Sequence, residues 1–171
     1  EQEAALWDAF NRYRRRPHGT DVFRARLAAG DEVALKIARA VERAGLRLRL
    51  AGVQTKARDV VAVVALEEAI GRVGEHGLAT ILGILKEAFD EPRGFQAPAI
   101  NGLSMFWARY GHEVDRSRVV DCLKRVGATR MQSLAVEYKS IDLGMPLAGA
   151  WARVLRMQYN KGLRTKQLVE W

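Results

Sequence analysis

The spacing of apolar residues limits this chain to a helical fold more than any other feature. Apolar residues recur three or four positions apart along nearly the whole sequence, which is the spacing of amphipathic helices. Strict alternation, typical of a half-buried strand, occurs convincingly only in LRLRL at Leu46–Leu50. The sequence therefore predicts a compact all-α domain of about eight or nine helices with one short extended basic arm.

Capping residues and glycines place the first helices after Pro17. Thr20 is the expected N-cap of a helix over residues 21–29, which Gly30 ends. Asp31 then caps a helix over 32–44, which Gly45 closes. Two helices joined through Ala-Gly-Asp form a helix-turn-helix-like corner, although any tight corner between helices uses the same residue types.

The remaining helices follow from the same signals. An amphipathic helix is expected at about residues 1–15, and the middle of the chain supplies core helices. The predicted spans after the arm are about 58–73, 76–90, 98–110, 116–126, 128–142 and 146–160.

The formal charge of +8 and the pI of about 10.1 favour an acidic partner, of which nucleic acid is the commonest. Residues 1–60 carry a net charge of +5, residues 61–115 carry −4 and residues 116–171 carry +7. We expect the two basic ends to form one positive face if they meet in space, with the acidic central helices turned away as a scaffold.

The expected phosphate contacts form an N-terminal and a C-terminal group of cations. The N-terminal group combines four elements. They are an arginine cluster before Pro17, the outward face of the helix predicted over 32–44, the basic arm, and the loop that follows the arm. Its members are Arg12, Arg14, Arg15, Arg16, Lys36, Arg39, Arg47, Arg49, Lys56 and Arg58. A basic arm beside a helical corner can reach an adjacent DNA groove, but the arm can equally be a strand on the core with solvated arginines.

The C-terminal group of cations lies at the end of the last predicted helix and in the segment behind it. Arg153 and Arg156 are three residues apart on one helical turn, and three more cations follow in an exposed tail. The group consists of Arg153, Arg156, Lys161, Arg164 and Lys166. The chain ends in apolar residues over 168–171, which we expect to dock back on the domain.

No residue pattern points to catalysis, a metal or a cofactor. Cys122 is the single cysteine, which excludes an internal disulfide and favours a reducing compartment, with the cytoplasm as the default. His18, His76 and His112 are isolated, without metal-ligand spacing. No apolar run is long enough to span a bilayer. We therefore expect a non-enzymatic protein without cofactor, metal or membrane contact.

Several short motifs occur together along the chain. They are FNRYRRR at 10–16, FRARLAAGD at 23–31, VALKIARAV at 33–41, ARYG at 108–111 and YNKGLR at 159–164, with a final tryptophan. In this combination the chain resembles the helical region that follows the ParB/sulfiredoxin-like domain in ParB-like proteins of actinobacteria and their phages.

This resemblance implies a DNA-binding helical module, with 1–171 forming a single domain excised from a longer chain. The missing N-terminal ParB/sulfiredoxin-like domain and a second copy of the chain are then possible partners beside DNA. The nucleotide-binding boxes of such proteins are absent here, so the resemblance carries no nucleotide chemistry onto these residues. The alternative is a protein-protein interaction or oligomerisation domain of a ParB-like protein.

Overall fold

The computed structural model describes residues 19–50, 58–89 and 91–169, and within them the chain is an all-α domain, as predicted. Seven α-helices lie in these residues, slightly fewer than the eight or nine expected for the chain, and the helix predicted over about residues 1–15 lies outside the described residues. The helices are α1 (Gly19–Ala28), α2 (Glu32–Arg43), α3 (Val63–Ala88), α4 (Ala97–Tyr110), α5 (Arg116–Val126), α6 (Ala128–Ile141) and α7 (Leu147–Asn160). A 3-10 turn spans Pro92–Phe95, and two short strands are β1 (Arg47–Leu48) and β2 (Asp59–Val60).

Helix α3 accounts for part of the lower helix count. The sequence predicts separate helices on either side of Gly74, but the structure joins them into one element that kinks there. Gly74 has φ of 70° and ψ of −179°, a conformation that a residue without Cβ adopts at little cost. Helix α3 also begins at Val63 rather than near residue 58, because the residues before it form strand β2.

The predicted basic arm is a strand held on the core. Strand β1 pairs in parallel with β2, with Arg47 opposite Asp59 and Leu48 opposite Val60. The amide of Arg47 donates to the carbonyl of Arg58 over 2.9 Å, and Leu46 is buried beneath the strand pair. The backbone hydrogen bonds therefore favour the strand over the free arm, the two interpretations that the sequence left open.

Helices α1 and α2 meet in the predicted corner. Gly30 has φ of 75°, and the Asp31 carboxylate accepts a hydrogen bond from the amide of Ala34 over 2.9 Å, as an N-cap does. Gly19 and Thr20 are both helical, so Thr20 lies within α1 instead of capping it.

Helices α3, α4 and α7 form the centre of the core. Helix α4 packs between α3 and α7, α6 and α5 cover α7, and α2 packs on α3. Leu82, Phe106 and Trp151 are at most 1% exposed. Gly102 lets α4 approach α7, because a Cβ there would lie 2.8 Å from Cβ and Cε3 of Trp151. Among the residues described, no helix has both the length and the apolar character needed to cross a membrane.

Candidate nucleic-acid interface

Two arginines of α2 are paired with one carboxylate of α3. Arg39 donates from Nε and Nη2 to the two carboxylate oxygens of Glu75, over 3.1 and 3.0 Å. Arg43 reaches the same carboxylate over 3.0 Å. The hydrogen bond from Arg39 is the main reason that the pKa of Glu75 lies below its ordinary value, and the charges of Arg39 and Arg43 lower it further. Lys36 pairs within its own helix with Glu32, over 2.6 Å.

Arg47 of β1 and Arg49, which follows the strand, are paired in the same way. Arg47 Nε and Arg49 Nη1 lie 3.3 and 3.0 Å from the two carboxylate oxygens of Asp59, whose side chain is only 5% exposed. Arg58 is exposed and has no carboxylate partner within the described segments.

The expectation that the acidic central helices turn away from the basic N-terminal part is wrong. Glu67 and Glu75 of α3 and Asp59 of β2 face the N-terminal cations, with Arg26 of α1 bonded to both Glu67 and Asp31. The carboxylates therefore neutralise arginines of α1, α2 and the β1 region on this side of the domain.

Five of the predicted contacts lie outside the described residues. They are Arg12, Arg14, Arg15, Arg16 and Lys56, and they stay predictions.

Two arginines of α5 are anchored to backbone carbonyls instead of carboxylates. Arg118 of α5 donates to the carbonyl of Tyr159 from Nε and Nη2, over 3.1 and 2.9 Å, and from Nη2 to the carbonyl of Lys161 over 3.0 Å. Its guanidinium carbon lies 5.2 Å from the centroid of the Tyr159 ring. Arg125 donates to the carbonyl of Gln158 over 3.4 Å. These bonds fix α5 beside the last turn of α7.

The tail behind α7 folds back onto the domain. The Asn160 side chain accepts from the amide of Leu168 and donates to its carbonyl, both over 2.8 Å. The Tyr110 hydroxyl donates to the carbonyl of Val169 over 2.7 Å, and Leu168 is 4% exposed. The predicted docking of the apolar end is confirmed for Leu168, whereas Trp171 lies outside the described residues.

The folded tail and α5 together present a group of cations that we call the C-terminal basic surface. Within the described part of the chain, none of its members forms an ion pair with a carboxylate, and all but the partly buried Arg118 are exposed. An open groove of about 560 Å³ runs between the last turn of α7 and the tail beside it. The surface consists of Arg118, Lys124, Arg125, Lys161, Arg164 and Lys166.

Lys166 has φ of 55°, the left-handed region that favours glycine. Lysine in this conformation costs about 1 kcal/mol. The tail therefore holds an exposed lysine at a position where glycine would fit with less strain.

Arg153 and Arg156 contribute less to this surface than the sequence suggested. Both are partly buried. Arg153 lies over the ring of Tyr138 and donates to its hydroxyl over 3.4 Å, and Arg156 donates to the carbonyl of Leu168 over 3.5 Å. The contacts described for both arginines are therefore with other residues of the domain.

Three members of the surface are absent from the set predicted from sequence. Arg118, Lys124 and Arg125 lie in the helix predicted over about residues 116–126 and were not counted among the phosphate contacts. The signal available was four cations, Arg116 among them, within the ten residues 116–125 of one helix. Only the packing of α5 against the end of α7 shows that Arg118 and Arg125 lie beside the start of the tail.

Cys122 lies under this surface and is 3% exposed. Burial raises the pKa of its thiol, which keeps it protonated at neutral pH. Its Sγ contacts the carbonyl of Gln158 at 3.5 Å. In the ranges 19–50, 58–89 and 91–169, no three His, Cys, Asp or Glu side chains gather as metal ligands would.

The seven helices of the described residues and the basic surface at one end do not by themselves indicate a function. A family model described as a family of unknown function (DUF6551) matches residues 1–142, and the chain belongs to this family. The matched segment ends one residue after α6, so helix α7 and the tail follow it. None of the curated proteins and none of the solved structures matches the chain.

Proposed function

We propose that this domain is the DNA-binding helical module of a ParB-like protein, and that it holds DNA phosphates through the C-terminal basic surface. The observation that carries the proposal is the group of six cations without a carboxylate partner among the described residues. Arg118 and Arg125 are already fixed by carbonyls, so part of the surface needs little ordering when a polyanion binds.

The comparison with α2 supports this choice of surface. A phosphate that approached Arg39 or Arg43 would compete with the Glu75 carboxylate, whereas a phosphate at Lys161 or Arg164 meets no such competitor in the described part of the chain. Affinity for DNA comes mainly from phosphate neutralisation and the release of counterions. The cations that keep their charge available are therefore the ones that contribute.

Two matched triple variants test the proposal. Lys161→Gln/Arg164→Gln/Lys166→Gln and Lys36→Gln/Arg39→Gln/Arg43→Gln each remove three positive charges. Fluorescence polarisation with a duplex of about 20 base pairs, at about 50 and 200 mM salt, measures affinity and its salt slope. We expect the tail triple to weaken binding at low salt on the order of 10- to 100-fold and to reduce the slope by about 2 to 3. The α2 triple should change affinity less than about threefold.

Equal losses in the two triples would contradict the assignment to the tail. Circular dichroism confirms that both variants are folded before they are compared. A third variant, Arg14→Gln/Arg15→Gln/Arg16→Gln, tests the arginine cluster predicted before Pro17. Absence of DNA binding by the unmodified chain at low salt would reject the function itself.

An exposed apolar pair favours an oligomerisation domain as the second candidate. Ile141 and Leu143, at the end of α6, are 85% and 84% exposed, and Val136 one turn earlier is 52% exposed. Burial of such side chains against a second copy would be favourable by about 1.5 to 3 kcal/mol each. Leu168, by contrast, is buried in its own chain.

Light scattering coupled to gel filtration tests this second candidate. We expect a dimer that becomes monomeric in Ile141→Ser/Leu143→Ser if the pair forms an interface. A monomer at every concentration would reject it without affecting the DNA-binding proposal.

A further inference from the structure

The open groove of about 560 Å³ beside the last turn of α7 lies within the C-terminal basic surface. Residues of that turn line one side of the groove, and residues of the tail line the other. None of the described residues that line it is acidic. Its volume lies in the range of sites that hold one small molecule, roughly 300 to 1,000 Å³, so a double helix cannot enter it.

Hydrogen bonds hold both sides of the groove in place. The Asn160 side chain pairs with the amide and the carbonyl of Leu168, both over 2.8 Å. The side-chain amide of Gln167 donates to the carbonyl of Leu163 over 2.7 Å, and the amide of Leu163 donates to the carbonyl of Asn160 over 2.9 Å. The groove therefore exists before a partner binds, and binding requires little ordering of the tail.

Apolar side chains line the groove in the middle of this cationic surface. Met157 lines it and is 52% exposed, and Leu163 lines it from the tail and is half-buried. A methionine contributes little to phosphate binding, because it carries neither a charge nor a hydrogen-bond donor. It gains free energy by covering an apolar surface of the partner. A partner that fits the groove therefore offers both anionic groups and an apolar group.

Cations border the groove from both the tail and α5. Lys161 lines it, and Arg164 belongs to the tail that forms its second side. Arg125 donates to the carbonyl of Gln158, a lining residue, over 3.4 Å, and Arg118 donates to that of Lys161 over 3.0 Å. Several cations along one groove suit a linear polyanion better than a single anionic group.

The accessibility of base faces distinguishes single-stranded from double-stranded DNA at this groove. In a duplex the base faces are stacked on one another, and only phosphates, sugars and base edges are exposed. In a single strand an unstacked base presents its apolar face beside the phosphates of the backbone. Gln158 also lines the groove, and an amide side chain can both donate to and accept from the edge of a base. A single strand therefore matches the apolar lining and the cations together.

We propose that the C-terminal basic surface binds single-stranded DNA, with one base in the groove beside Met157 and the neighbouring phosphates on Lys161 and Arg164. This inference rests on the DNA-binding function proposed above and specifies the partner. A duplex still binds the surface through phosphate charge alone. The base contact adds a part of the affinity that salt does not screen.

Three probes with the same number of phosphates per strand test the inference by fluorescence polarisation. They are a single strand of about 20 thymidines, a duplex of the same length, and a strand of abasic sugar-phosphate units. A surface that binds only phosphates favours the duplex, because the duplex has the higher charge density. At about 200 mM salt we expect the thymidine strand to bind at least about threefold more tightly than the duplex and at least about tenfold more tightly than the abasic strand.

Met157→Gln should weaken binding of the thymidine strand by about three- to tenfold and leave duplex binding unchanged. Leu35→Gln makes the same kind of change at a position of α2 that is 37% exposed, so it is the matched control and should bind both probes as the unmodified chain does. Lys161→Gln should weaken both, because it removes a phosphate contact. The abasic strand tests the base contact on the unmodified chain, independently of how the variants fold.

Equal affinity for the thymidine strand and the abasic strand would overturn the inference, and so would tighter binding of the duplex. Both results leave DNA binding through phosphates in place, whereas the absence of binding to every probe at low salt rejects the proposed function as well. Equally tight binding of a polyglutamate peptide of the same charge would assign the groove to an acidic protein partner instead.

Discussion

The two basic regions of this domain carry the same residue types and hold them in different ways. Glu75 and Asp59 neutralise the cations of α2 and β1, whereas backbone carbonyls of residues 158–161 hold Arg118 and Arg125. A carbonyl satisfies the donors of a guanidinium and leaves its net charge in place, but a carboxylate also cancels that charge. Net charge by segment therefore does not locate a positive surface, because that surface depends on which acidic residues fold against the cations.

The largest effect should follow from removing the buried carboxylate of the N-terminal region. Asp59→Ala leaves Arg47 and Arg49 without their shared partner, and we expect a loss of about 3 kcal/mol in the free energy of unfolding. Asp121→Ala, the same change at an exposed position of α5, should cost less than about 0.5 kcal/mol. Urea unfolding measures both, and equal losses would show that Asp59 does not organise the strand pair.

The next largest effect distinguishes carbonyl anchoring from carboxylate pairing. Arg118→Lys loses the two-pronged contact with Tyr159 and should destabilise the domain by about 2 kcal/mol. Arg116→Lys is the neighbouring control, since Arg116 makes a surface ion pair with Glu87, and it should cost less than about 0.5 kcal/mol.

The pH dependence gives the same comparison a second readout. The pKa of Glu75 is lowered in the folded state, chiefly by the hydrogen bond from Arg39, so its stabilising effect is complete above its ordinary value of 4.5. The effect disappears as the pH falls through the lower folded-state pKa. The deficit of Glu75→Gln should therefore shrink between pH 7 and about pH 3, while that of Arg118→Lys should not. Parallel changes in urea unfolding would contradict the distinction.

The smallest effect separates the stability of the tail from its binding. Lys166→Gly removes the left-handed strain and should raise the free energy of unfolding by up to about 1 kcal/mol. The same change should weaken DNA binding about threefold and lower the salt slope by about 0.9. Lys166→Gln is the control, because it removes the same charge and keeps the left-handed strain. Lys124→Gly is unsuitable, because Lys124 lies within a helix that glycine would destabilise. Unchanged DNA affinity in both variants would remove Lys166 from the proposed interface.

Local signals predicted most of the helices correctly. Asp31 caps a helix where the sequence placed it, and Gly30 and Gly45 adopt the positive φ expected of closing residues. The sequence predicted an interruption of the helix at Gly74, but not that the helix would continue across a kink. A glycine that ends one helix and a glycine that kinks a continuous one give the same sequence pattern.

The candidate sites were less predictable because they depend on partners distant in sequence. The pairing of Arg39 with Glu75 spans 36 residues, and the bond from Arg118 to the carbonyl of Lys161 spans 43.

The sequence by itself determined that this protein is helical, where its helices begin and end, and that it carries excess positive charge. Those properties follow from apolar spacing, capping residues and composition, which act over a few residues. Only the tertiary structure decided which cations keep their charge available. Helix packing brings Glu75 to Arg39 and brings backbone carbonyls to Arg118, and electrostatic neutralisation depends on distance in space and not on distance along the chain.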